Sequence, residues 1–249
     1  MPERRIAIFA ATIWEVRAVQ AAFKMESASR CIDGIPVRVY AADSREYWLV
    51  QTGVGPEKAR RAACRVFAHQ PFSLAVSTGF ACALVATEIG AMLVGCEVVA
   101  WGEQSAEASS VIDVPGEERE NVLGLVEGVD QPVHVGRFVS TSRIVATAAE
   151  KLRFARDAAA IGLDMESAAL AGEAHRARVP FVIVRTVSDL LHEDLPLDFN
   201  LFLRPTGWIK GLVAVIGNPS SLAGLFRLRR QSVAAAHNLT IFFRRFAQG

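Results

Sequence analysis

The stretch IGLDMESAAL, residues 161–170, sets two carboxylates, Asp164 and Glu166, around Met165 where an apolar run gives way to an alanine-rich one. PFVIVRTVSDL, 180–190, repeats the arrangement and ends in Ser188 and Asp189. Near the start, RIAIFAATIWEVR carries Glu15 and Arg17 just past its apolar run. An acid at a helix start meets the positive end of the helix dipole and needs no further purpose. Capping of a short helix is the bland reading of Ser188 with Asp189, and Asp164 reads as capping or structural. The chemical reading is different. Burial at the end of an apolar strand raises a carboxyl pKa and equips it as a proton donor, while an ionised carboxylate accepts hydrogen bonds from hydroxyls.

The elements that must position these groups follow from apolar periodicity. β-branched runs alternate with Ala-rich helical segments, the pattern of an α/β sheet covered on both faces. RIAIFAA, IPVRVYAAD, REYWLVQTG, FSLAVSTGF, AMLVGCEVVAWG and HVGRFVST read as strands. EVRAVQAAF, GPEKARRAACRVFAHQ, SRIVATAAEKLRFARD and SAALAGEAHRARV read as helices, the second with Pro56 suited to a first turn. Residues 103–133, rich in Glu, Gly, Ser and Asp, read as an excursion with little core, and STGF as a loop. Ligands of open α/β sheets gather outside the carboxyl ends of the strands. Glu15, STGF, STSR, DMES and the Ser188–Asp189 pair are therefore expected on one rim.

Bulk properties exclude several classes. The 249 residues are 51% hydrophobic and 21% charged, enough for a sizeable core without disulfides. A net charge of +1 argues against a general nucleic-acid binder. Cys31, Cys64, Cys82 and Cys96 lack metal-ligand spacing and read as reduced, mostly buried thiols of a cytoplasmic protein. The N-terminal apolar run is broken by Glu15 and Arg17, and is a better strand than signal peptide. After Asp198 every charged side chain is basic, from Arg204 to Arg245.

GLDMESAALA followed by VPFVIVRTVSDL resembles the nucleoside phosphorylase and nucleosidase superfamily that includes methylthioadenosine/S-adenosylhomocysteine nucleosidase. WEVRAV, QTGVGPEKA and STGFACAL extend the resemblance over residues 4–205. It implies an α/β fold: a three-layer α/β/α sandwich around a twisted mixed central sheet with a barrel-like core. It also implies cleavage of an adenine nucleoside through an oxocarbenium-like transition state. Asp189 then matches the acid facing purine N7, and Glu166 the acceptor of the ribose 2′ and 3′ hydroxyls, with Met165 packed on the sugar. Glu15 matches the base that activates water. Phe80, Ile144, Val145 and Ser188 fall where relatives border the substrate. Arg17, Gly53 and Gly79 are candidates for holding phosphate, against the readings of a solvated arginine and simple turn geometry. Where nucleosidases have a small hydroxyl residue and glycines, this chain has GFACAL; where bacterial phosphorylases have an arginine, it has Ser77.

The tail, residues 206–249, reads as a basic amphipathic helical extension of the 1–205 catalytic domain. Its NPSSLAGLFRLRRQS run, with WEVR and STSRIVATAAEK, resembles hopanoid-associated phosphorylases. That resemblance implies phosphorolysis of a lipid-linked substrate, adenosylhopane, with inorganic phosphate as co-substrate and no metal or organic cofactor. Phenylalanines interspersed with arginines suit peripheral contact with an anionic membrane or packing on the body. Two alternatives stand beside this reading: a hydrolytic methylthioadenosine/S-adenosylhomocysteine nucleosidase, and a non-catalytic nucleoside-binding, membrane-associated protein, to which Phe80 in the nucleophile segment points. The family resemblance implies a homo-oligomer.

Overall fold

The computed structural model describes residues 4–42, 44–102, 108–114, 116–127, 130–196 and 219–248. Apolar strands with backbone partners on both edges form the middle of one sheet. β1 (Arg4–Ala10) lies between β4 (Arg45–Gln51) and β5 (Leu74–Ala83), parallel to both. β2 (Ser27–Ile32), β3 (Ile35–Ala42) and β4 form an antiparallel meander on one flank. On the other, β6 (Met92–Trp101), β8 (Val133–Thr141), β9 (Ala160–Asp164) and β10 (Phe181–Asp189) complete the order β10-β6-β8-β9-β5-β1-β4-β3-β2. Because β10 also pairs with β5, the strands β10, β6, β8, β9 and β5 close on themselves. The mixed, twisted sheet with a barrel-like part expected from the resemblance is therefore present. Closure brings the ends of β5, β9 and β10 together, although they are far apart in the chain.

Helices flank the sheet. α2 (Pro56–His69) packs against α5 (Ser167–Ala177), and α1 (Ile13–Gln20) against the C-terminal helix α6 (Pro219–Gln248), which also contacts α3 (Gly116–Val126); α4 (Ala148–Ala158) lies beside β9. The β2 strand, with its exposed face, escapes the apolar-run criterion.

Three expectations need correction. STGF is not a loop: β5 runs on to Ala83, since β1 and β10, then β9 and β10, supply partners along its length. The 103–133 excursion includes β7 (Ala108–Asp113), paired with β6, and α3, which buries Val122 and Val126; its acidic composition is accounted for in part by Glu117 and Glu118, which favour the start of α3. Of the cysteines, Cys82 is buried and Cys96 half-buried, whereas Cys31 and Cys64 are exposed; all four are free.

The 205/206 boundary lies outside the described residues. The described part of the tail shares the main core: Leu239, Phe242, Phe243 and Phe246 are buried, and Phe246 meets the ring of Tyr47 on β4. Thr240 Oγ1 donates to the Ala18 carbonyl on α1 at 2.8 Å, and Asn238 Nδ2 to that of Gly90 at 3.0 Å. Four phenylalanine and leucine side chains available to a membrane on sequence grounds are thus spent on the protein interior, while Phe226 stays exposed. Among the described residues no helix is long and apolar enough to cross a membrane.

Candidate active site

Glu15 sits in the first turn of α1. Thr12 caps that helix, and its backbone N–H and hydroxyl both donate to Glu15 Oε2, at 2.7 and 2.8 Å. The other oxygen, Oε1, accepts the backbone N–H of Phe80 from β5 at 2.8 Å. The dipole reading of this acid is correct and incomplete, because both oxygens are aimed by partners on two elements. Gly79 makes the approach feasible. Its φ is +136°, and a Cβ there would lie 2.1 Å from Glu15 Oε1.

The β9-to-α5 junction separates the roles of its two acids. Asp164 Oδ1 accepts the Ser140 hydroxyl at 2.5 Å and the amides of Glu166 and Ser167 at 3.3 and 3.2 Å. Its Oδ2 accepts the Ser167 hydroxyl and faces Arg185 Nη2 at 2.9 Å. Asp164 is fully engaged in holding the start of α5, as its capping reading requires. Glu166 Oε1 accepts the Gly55 N–H at 2.8 Å, and its Oε2 lies 3.7 Å from Arg185 Nη2.

Arg185 ties these acids together. In the middle of β10 and 1% exposed, it donates through Nη2 to Ser77 and Ser167 at 3.0 and 3.2 Å. Burial works against its charge, yet Asp164, Glu166 and Glu15 more than offset that and raise its pKa. One guanidinium cannot equally serve three buried carboxylates. Burial, followed by the repulsion of Asp164 and Glu15, pushes the Glu166 carboxyl up to about 7 against the pull of Arg185 and the Gly55 N–H.

At the end of β10, Asp189 Oδ1 accepts from Lys151 Nζ at 2.7 Å, and Ser188 Oγ donates to its Oδ2 at 3.3 Å. Cys82 lies alongside, where burial and the Asp189 carboxylate push its thiol pKa well up.

A single cleft joins these groups. Glu15, Glu166 and Asp189 line it with Met165 and Ser188, and Phe80, Cys82, Ile144 and Val145 contribute apolar walls. The expected common rim is assembled, with carboxylates toward the Arg185 cluster and Asp189 in its own corner. The phosphate candidates lie otherwise. Arg17 is exposed, with its guanidinium 5.6 Å from the Trp14 ring centroid, and does not line the cleft. Gly53, at φ +81°, donates its N–H to the Ala11 carbonyl at 3.1 Å. Gly79 admits a carboxylate, which opposes an anion at the same place. An exposed helix-start arginine and turn glycines carry the same residue types in either role, so spacing alone could not separate them.

Sequence reasoning missed Arg185 and Lys151. Each had a signal: a charge midway along the apolar strand FVIVRTVSD, and a lysine on the stripe Lys151, Phe154, Ala158 that α4 buries.

The Phosphorylase superfamily model matches residues 5–204. A methylthioadenosine/S-adenosylhomocysteine nucleosidase of Staphylococcus haemolyticus is 28% identical over 174 residues, covering 65% of this chain and 76% of that protein. One from Shewanella loihica is 38% identical over 52 residues, 21% of this chain and 23% of its own. Among solved structures, the Helicobacter pylori nucleosidase complexed with a pyrrolopyrimidine-bearing pyrrolidinol is similar with a TM-score of 0.79 at 15% identity, covering 100% of this chain and 99% of its own. The Streptococcus pyogenes S-adenosylhomocysteine nucleosidase in complex with 5-methylthiotubericidin gives 0.72 at 19% identity over 98% of each chain. At these identities the structural likeness speaks for the fold.

Proposed function

The chain belongs to the phosphorylase superfamily, and we propose that it hydrolyses the N-glycosidic bond of a 5′-substituted adenosine of the methylthioadenosine or S-adenosylhomocysteine kind. The observation that carries this reading is the charge arrangement of the cleft: Glu166 and Asp164 paired with one guanidinium whose charge Glu15 also favours, with Asp189 apart at the end of β10. As the N9–C1′ bond breaks, its electron pair leaves with the base and positive charge develops on the sugar. Ionised Glu166 accepts the 2′ and 3′ hydroxyls and stabilises that charge. Asp189, at the end of β10, delivers a proton to N7 as the bond breaks, so adenine departs neutral. Glu15 takes a proton from the water that bonds to C1′, and its two-element anchorage holds it in place for that transfer. Ile144, Val145 and Cys82 suit the faces of the purine. The chemistry draws on acid, base and sugar grip, with no organic cofactor or metal in any step.

Water is favoured over phosphate on electrostatic grounds. A phosphate dianion beside Glu15 and Glu166 would meet like charges in a low-dielectric pocket, and Arg185, buried behind them, is engaged by carboxylates. The sequence relatives are named as nucleosidases, whereas adenosylhopane phosphorolysis draws on the resemblance of WEVR, STSRIVATAAEK and the tail run alone. Phe80, the residue behind the non-catalytic reading, serves Glu15 through its backbone N–H, which any residue supplies. Ile13 and Trp14, exposed on the helix that carries Glu15, support a homo-oligomer whose second subunit covers this edge.

The test follows adenine and the sugar product from methylthioadenosine and S-adenosylhomocysteine, with and without phosphate. Phosphate-independent release of adenine with a free reducing sugar is expected. A phosphorylated sugar formed only with phosphate would replace hydrolysis by phosphorolysis, and no adenine from either compound would overturn the reading.

A further inference from the structure

Lys151 is 0% exposed on α4, and each of its three N–H bonds has an acceptor. They are Asp189 Oδ1 at 2.7 Å, the Glu193 carbonyl at 2.8 Å and the Leu190 carbonyl at 3.0 Å. Burying an ammonium is costly unless it is paired and fully hydrogen-bonded, and this one meets both conditions on a single segment, 189–193. The same segment is secured beyond it. Asp194 Oδ1 accepts the Ala148 N–H at the start of α4 at 2.7 Å, and Glu193 Oε2 accepts from Gln231 on α6 at 2.9 Å. Lys151 therefore joins the α4 face to the residue at the end of β10 and to the turn that follows it.

We propose that Lys151 is a positioning residue for the acid step: by occupying Asp189 Oδ1 it fixes the carboxyl rotamer and leaves Oδ2, beside Ser188, as the oxygen that serves the leaving base. This rests on the acid role given to Asp189 above. It adds a fixed division of labour between the two oxygens. An acid held by one contact at its far oxygen keeps its reach and direction, and misplacement of a reacting group by about 1 Å can cost roughly 10²-fold in rate. Ser188 alone, at 3.3 Å and on the adjacent residue, does not define that rotamer.

The experiment is a double-mutant cycle on the full chain, measuring kcat and KM for adenine release by wild type, Lys151→Met, Asp189→Asn and the double variant. Lys151→Met is expected to lower kcat about 10²-fold with KM changed less than about 3-fold, in the range of a general-acid contribution. If Lys151 acts through Asp189, adding Lys151→Met to Asp189→Asn costs less than about 3-fold more. Losses that multiply in the double variant would make Lys151 a purely structural residue and overturn the proposal, as would a Lys151→Met kcat within about 3-fold of wild type. Should Lys151→Met fail to fold, Lys151→Arg keeps the charge but cannot reproduce three converging donors. Its kcat should fall about 10-fold at unchanged KM, and an unchanged kcat would overturn the proposal. Silence of all four proteins, wild type included, would instead remove the functional reading on which the inference stands.

Discussion

Glu166→Gln should stabilise the protein at alkaline pH while disabling the sugar grip. Glu166 is 6% exposed, and burial with two neighbouring carboxylates raises its pKa from 4.5 to about 7. The folded protein thus binds this proton more tightly than the unfolded chain does. The favourable contribution is fully present below pH 4.5 and is lost as pH rises through about 7. At about 1.36 kcal/mol per pH unit, the span from 4.5 to about 7 amounts to about 3 kcal/mol, most of it lost between pH 5 and pH 8. Glutamine keeps an acceptor for the Gly55 N–H and has no charge to desolvate. Subtracting the stability of wild type from that of the variant removes the titrating groups that do not interact with Glu166 and isolates Glu166 with its neighbours. The difference should therefore grow in favour of the variant by about 2 to 3 kcal/mol between pH 5 and pH 8, or about 5–10 °C in Tm for a chain of this size. Urea unfolding of both proteins at the two pH values measures it, with adenine release in parallel. Stability profiles that run parallel from pH 5 to pH 8 would refute the argument that Glu166 is held in an electrostatically costly place. A residue that costs stability and is needed for function is expected where a site requires a buried charge.

Asp189→Asn should lower kcat for adenine release by about 10²- to 10⁴-fold, the range of general-acid contributions, with circular dichroism unchanged; activity within a few-fold of wild type would remove the acid assignment. Gly79→Ala places a methyl 2.1 Å from Glu15 Oε1 at φ +136°, so Glu15 must move and both Tm and activity should fall; a fully active variant would show that the anchorage of Glu15 is dispensable. Arg185→Met leaves Asp164, Glu166 and Glu15 without their shared counter-charge and should cost about 3–5 kcal/mol in urea unfolding at pH 8, less at pH 5 where Glu166 takes up its proton. Phe243→Ala, at a fully buried position of α6, should cost about 3–5 kcal/mol, whereas a cost under about 1 kcal/mol would mean that the C-terminal helix is not part of the cooperative core.

The site was legible to the extent that its residues fall at ends of strands. Glu15, Glu166, Asp189 and Ser188 each follow an apolar run, and in an α/β sheet those ends converge. Ile144 and Val145, placed by the STSR segment, reach the same cleft. Arg185 and Lys151 broke local rules, a charge inside a strand and a charge on a buried helix stripe. Such breaks mark polar networks, but their partners, Asp164 and Asp189, lie 21 and 38 residues away. Composition also misled. The glutamates of 103–133 concealed the apolar residues Val122 and Val126, and the arginines of the tail left open whether its helix meets a membrane or the body, which the burial of Leu239, Phe242, Phe243 and Phe246 assigns to the core.

What the sequence determined by itself was local: which runs become strands, which segments become helices, and which residue types stand at their junctions. Those follow from periodicity and turn chemistry, which act over a few residues. The tertiary structure alone decided what each charge faces. Closure of β5, β9 and β10 sets Asp164 and Glu166 on the Arg185 guanidinium, turns Gly79 into space for Glu15, and leaves Arg17 outside on the Trp14 ring. Electrostatic energies depend on separation and burial in three dimensions, and neither quantity is written along the chain.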